Sequence, residues 1–119
     1  MQPGEFKQEI MRINNAVNQE MFGLGLRWQK VHVIDDKVLV LASNQRVKAL
    51  ATLFVKDRGA TKLIDNALLD EYKSRIRSAV EKDLKIRVTA VLKDYDPDLE
   101  LACMLIVFAE PVLDVIVSL

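Results

Sequence analysis

Few residues in this chain have the type and spacing that chemistry needs, and they fall into five groups. Gly23, Leu24 and Gly25 suggest a phosphate cradle, but such loops leave a strand and open a helix, so that helix amides face the phosphate. Here a helical pattern comes first and strands follow, which argues against a phosphate site. His32, the only histidine, has Asp35 and Asp36 nearby, the closest cluster of titratable groups. Catalytic zinc wants three protein ligands, and neither HExxH nor CxxC spacing is present. Asp94, Asp96 and Asp98 alternate as calcium ligands can, yet the glycine and distal glutamate of an EF-hand loop are missing. The run reads as a turn. Cys103, the single cysteine, sits in the most apolar stretch, where a thiol is inert and cannot pair internally. Lys82, Lys85 and Arg87 beside Arg75 and Arg77 make a basic patch, but Glu81 and Asp83 interleave with it. That is the pattern of a solvated helix face rather than a nucleic-acid groove.

These groups give no nucleophile and base, no catalytic residue, no metal site and no cofactor. The chain is expected not to be an enzyme. The best ligand-binding set is Trp28, His32 and Tyr72, around a pocket between helices and sheet.

The elements that would hold these residues follow from periodicity. Phe6, Ile10, Ile13, Val17 and Met21 recur at steps of three and four, which lines one face of a helix over 5–22. Gly23 suits the left-handed position past its end. Asn14 and Asn15 are mediocre helix formers, so they are either solvent-exposed or tied to a strand or a second subunit. Residues 28–34 and 37–42 are rich in β-branched side chains around Asp35 and Asp36 and form a hairpin. A helix over 45–57 with Val47, Leu50, Ala51 and Phe54 inward comes next. Thr61 then caps a longer helix to about Lys85, with Ile64, Leu68, Tyr72, Ile76, Ala79 and Val80 inward. Glu71 with Arg75, and Arg77 with Glu81, stand one turn apart and can pair.

Ile86, Val88, Ala90 and Leu92 alternate with Arg87, Thr89, Val91 and Lys93, so the first set is expected inward. From Leu99 to Phe108 both alternating sets are apolar, as in a strand covered on both faces. The order αββααββ implies a single α+β domain over 1–119, two-layered, with a mainly antiparallel four-stranded sheet and helices on one face. One helical layer leaves the other face open, and a second copy is the simplest cover. Ala102, Met104, Ile106 and Phe108, with Leu113, Val115 and Val117 of the tail, are the expected homodimer interface. The alternation of that tail allows one more strand, which subunits could exchange.

The chain has 119 residues with 17 basic and 17 acidic side chains, a formal net charge of zero, and half its residues are apolar. Such a composition fits a globular protein and disfavours a general nucleic-acid binder. The start, MQPGEFKQEIMRI, does not read as a secretory signal. The longest apolar run ends at Glu110 and Pro111, less than half of the about 20 residues a membrane span needs. A cytoplasmic protein with no membrane span is expected.

The stretches INNAVNQEMFGLG, KVHVIDDKVLVLAS and DYDPDLELACMLIVF, in this order, resemble the MpsC family of small bacterial domains, over about residues 5–110. That family's name links it to a sodium-translocating, membrane-potential-generating system. The resemblance implies an accessory or regulatory protein that works through protein contact, and it carries over no catalytic residue. Leu24 and Leu26 stand where the family commonly has a basic residue and a proline. A small-molecule sensor is the alternative reading.

Overall fold

The computed structural model describes residues Met1–Leu119. Helix α1 (Pro3–Phe22) is followed by strands β1 (Gln29–Ile34) and β2 (Lys37–Ser43), helices α2 (Lys48–Lys56) and α3 (Arg58–Leu84), strands β3 (Val88–Asp96) and β4 (Leu101–Phe108), and a short helix α4 (Val112–Ile116). The four strands form one antiparallel sheet in the order β1-β2-β4-β3. The α+β class and the element order are those expected. No helix is long and apolar enough to cross a membrane.

The core lies between one face of the sheet and helices α1 and α3. Phe6, Ile10, Ile13 and Val17 of α1, with Tyr72, Ile76, Val80 and Leu84 of α3, meet Val31, Val38, Val40, Met104, Ile106 and Phe108 from the strands. The last three residues, together with buried Ala102, are therefore covered by the chain's own helices. This corrects the expected interface: β4 turns the set Ala102, Met104, Ile106 and Phe108 inward, and Leu101, Cys103, Leu105 and Val107 lie on the opposite face.

The tail is also corrected, because it forms a helix and not a strand. β4 is central, flanked by β2 and β3, so the chain leaving it past Pro111 reaches no free strand edge. A helical turn instead buries Val112 and Ile116, spaced by four, in the core. Leu113 and Val117 stay exposed and Val115 is half-buried. The Val112 N–H donates to the carbonyl of Asp35 at 2.9 Å, which ties α4 to the hairpin turn.

β3 departs from the expected alternation. A register break between Val88 and Ala90 inverts the sides downstream, so Val91 and Lys93 lie opposite Ile106 and Met104 on the helix side while Ala90 and Leu92 turn away. Two α3 side chains hold this bulge in place. Arg77 Nη2 donates to the Val88 carbonyl at 2.8 Å, and Glu81 Oε2 accepts from the Val88 N–H at 3.1 Å. Both groups thus serve the sheet edge and not each other, whereas Glu71 and Arg75 do pair, at 2.8 Å.

The asparagines of α1 are tied to β1 and to the corner before it. Asn14, only 3 % exposed, donates from Nδ2 to Gln29 Oε1 at 3.0 Å, and its Oδ1 accepts from the Tyr72 hydroxyl at 2.6 Å. Gln29 donates back to the carbonyl of Met11 at 3.0 Å. Asn15 Oδ1 accepts from the Leu26 N–H at 2.9 Å, and Asn18 Nδ2 donates to the Leu24 carbonyl at 2.7 Å. The glycine pair belongs to this corner. Gly23 caps α1 at φ 71, and a Cβ on Gly25 would come within 3.3 Å of Asn15 Oδ1. The loop is thus a structural corner that seats β1 on α1.

The first half of α3, with α2 folded against it, projects past the sheet. Apart from Thr61 no residue of α3 before Tyr72 is buried, and α2 buries none. The radius of gyration, 14.9 Å, exceeds the roughly 13.5 Å of a compact chain of this length.

Replacing Asn14 by alanine leaves Gln29 Oε1 without its donor and Tyr72 with only the Asn14 carbonyl. Urea unfolding followed by circular dichroism is expected to show a loss of about 1–3 kcal/mol. Asn14→Asp is expected to be no better, because it sets a second acceptor against Gln29.

Candidate functional site

Two surfaces could carry function, and the sheet lies between them. Trp28 and His32 are on the outward face: the Lys30 ammonium sits 5.9 Å from the Trp28 ring, and His32 is exposed beside Leu39. Tyr72 is on α3, buried on the helix side. The three residues expected to line one pocket are therefore on opposite sides of the sheet, because alternation along β1 sends Val31 inward and Lys30 and His32 outward. Asp35, at φ 58, and Asp36 form the hairpin turn. Asp96 accepts from the Asp98 and Leu99 N–H groups at 2.9 and 3.2 Å, and Asp98 meets Arg58 at 3.3 Å. That run shapes the β3–β4 connection.

The outward face is a regular array set by strand register. Lys30, Leu41, Cys103 and Asp94 stand side by side across β1, β2, β4 and β3; in the next row stand His32, Leu39, Leu105 and Leu92; in the third stand Ile34, Lys37, Val107 and Ala90. Its middle is apolar except for Lys37, its β1 side carries Lys30 and His32, and its β3 side carries Asp94. Leu92 is 58 % and Ile34 56 % exposed, and the Cys103 thiol is also exposed. With strands about 4.8 Å apart and residues about 3.3 Å apart, the face covers roughly 450 Å2 in projection. Eight of its twelve positions are apolar, so the apolar part is about 300 Å2, and the largest apolar patch on a folded chain, at about this size, is often a functional surface.

The second surface is a cavity on the helix side, of about 40 Å3, lined by Phe22, Arg46, Leu50, Asp65, Tyr72 and Lys93 among others. Lys93 reaches it only because the bulge at Val88 turned it inward. Its ammonium lies 3.0 Å from the centre of the Tyr72 ring, and burial lowers its pKa to about 7. Burial also raises the pKa of Tyr72, whose hydroxyl donates to Asn14. Tyr95 donates to the Asn44 carbonyl at 2.9 Å and is pushed up to about 12, first by burial and then by Glu100.

Arg46 closes the far side. Its side chain is 6 % exposed, and Nη2 pairs with Asp65 at 3.0 Å. Its backbone N–H donates to Glu100 at 2.6 Å, and the guanidinium carbon is 5.1 Å from the Phe54 ring. Nε and Nη1 are buried and have no hydrogen-bond partner. Neither Arg46 nor Lys93 stood out in the sequence. A β-bulge hides the inward turn of Lys93 from an alternation count, and nothing local marks Arg46 as buried.

Comparison of the chain with protein-family models, with curated proteins and with solved structures returns no match.

The buried amine gives a pH test. Unfolded, Lys93 takes up its proton below its ordinary value of 10.5; folded, only below about 7. Between those values the unfolded state holds the extra proton, so this residue makes stability rise with pH across the window. Above about pH 10 the buried tyrosines act in the opposite sense, since their folded forms keep protons that the unfolded chain releases. Denaturant unfolding from pH 6 to 10 is expected to show a positive slope, below the ceiling of about 1.4 kcal/mol per pH unit, that Lys93→Met lacks.

Proposed function

We propose that the chain is a cytoplasmic, non-catalytic accessory module that pairs with a second copy of itself through the outward face of its sheet. The observation that carries this reading is the apolar array of Leu39, Leu41, Cys103, Leu105, Val107 and Leu92, which no helix of the chain covers. Two such faces together bury on the order of 1,000 Å2, enough for a specific interface of modest size.

Charge selects the orientation of the pair. A two-fold axis parallel to the strands, lying between the sheets, sets each row over the same row of the other copy in reverse order. Lys30 then faces Asp94, Leu41 faces Cys103, and Leu39 faces Leu105, while the other in-plane axis would reverse the rows and leave Lys30 over Ile34 and Asp94 over Ala90, with neither charge paired. This arrangement joins opposite charges at both rims and fits aligned sheet packing with side chains interdigitating about 10 Å apart. The resemblance to the MpsC family adds a role for the pair as an accessory to a membrane ion-translocating system.

Sedimentation equilibrium of the whole chain tests the reading. Wild type is expected to dimerise at micromolar concentration. Leu105→Lys, whose side chain points away from the core, is expected to weaken pairing at least about 100-fold, as a charge at an interface centre does, with its circular dichroism unchanged. Lys30→Glu is expected to weaken pairing about 5- to 10-fold, and adding Asp94→Lys is expected to restore it. A wild-type monomer at every concentration would falsify the proposal, and loss of the charge-swap rescue would discard the orientation.

A further inference from the structure

The helix-side cavity carries an inference independent of self-pairing, because it lies on the other side of the sheet. We propose that it is a binding site for a small monocarboxylate with a short apolar tail, its carboxylate held between Arg46 and Lys93.

Arg46 supplies the first argument. A guanidinium removed from water costs stability unless its N–H groups are bonded, yet here the side chain is 6 % exposed and only Nη2 has an acceptor, Asp65. Nε and Nη1 remain as buried donors without partners, and a carboxylate oxygen is the acceptor to which such donors bond most strongly. Lys93 supplies the second. Its amine lies against the Tyr72 ring face and lines the same cavity. Asp65 is the one carboxylate among the lining residues, so the walls hold two basic groups against one acidic group.

The remaining walls choose among anions. Phe22, Val47, Leu50, Leu68 and Leu69 surround the basic pair, and apolar walls favour an acid that carries a few carbons over a bare or doubly charged ion. The volume, about 40 Å3, admits a group of only a few heavy atoms, given that one water needs roughly 10–15 Å3 on this measure. A nucleotide or a peptide is too large. No covalent step is implied.

Arginine side-chain 1H–15N spectra of the whole chain, titrated with sodium butyrate, formate or phosphate at ionic strength matched with sodium chloride, provide the test. The Arg46 Nε–H signal is expected to shift saturably with butyrate and to favour it over formate by about 15- to 50-fold, the gain of burying two or three methylene-sized groups. Lys93→Met, read from the same Arg46 signal, and Arg46→Lys, read from the backbone amide shifts of the residues lining the cavity, each with a folded backbone spectrum, are expected to weaken butyrate binding at least about tenfold. No saturable shift in wild type by about 50 mM butyrate, a weak millimolar range for any specific site, overturns the proposal, whatever the variants do. Equal response to formate or to phosphate overturns the choice of a carboxylate with a tail, and unchanged affinity in folded Lys93→Met removes Lys93 from the site.

Discussion

Strand β4 carries apolar side chains on both of its faces, and the chain folds only one layer of helices against its sheet. Ala102, Met104, Ile106 and Phe108 go under α1 and α3, while Leu101, Cys103, Leu105 and Val107 are left looking out. Because side chains alternate strictly along a strand, no shift of register can bury both sets at once. The position of β4 between β2 and β3 then spreads the consequence across the sheet: Leu41 and Leu39 flank Cys103 and Leu105 on one side, and Leu92 and Ala90 flank Leu105 and Val107 on the other, so the exposed apolar ground is a patch and not a stripe.

What keeps the helices on one side is a set of side chains that reach for backbone. Asn14, Asn15 and Asn18 fasten α1 to the corner before β1 and to Tyr72 of α3. Arg77 and Glu81 clamp both backbone groups of Val88. These contacts are worth modest energies singly, but they decide which residues face which way. The clamp at Val88 turns Lys93 into the core side and Leu92 out to solvent, and so shapes both candidate surfaces with one bulge.

Much of the architecture was legible because it rests on periodicity. The helical stripe of α1, the hairpin around Asp35 and Asp36, the element order and the doubly apolar last strand all follow from spacing alone, and the glycine at position 23 caps α1 where its type demands. Which set of β4 faces inward was not legible, since two apolar alternating sets are equivalent until the helices choose between them. The tail misled for a related reason: alternation over a few residues fits a strand, yet Val112 and Ile116 also fit one helical turn, and sheet order left no edge for a strand. Lys93 and Arg46 were hidden because their burial arises from a bulge and from the packing of α2 on α3, which are tertiary events. Tyr72 does line a cavity, but the thickness of the sheet separates it from Trp28 and His32.

Cys103 lies on the central strand of the outward array, in the same row as Leu41, and its thiol is exposed in the single chain. Its rate of reaction with a water-soluble aromatic disulfide, followed as the protein is diluted, reports directly on whether a second copy covers that face. If the sheet face is the site of pairing, the rate constant falls at least about tenfold from dilute to concentrated protein, equivalent to about 1.4 kcal/mol of protection, and tracks the dimer fraction. A rate constant that stays the same at every concentration, in a sample that is nonetheless dimeric, would show that this face remains open to water and that the copies meet elsewhere.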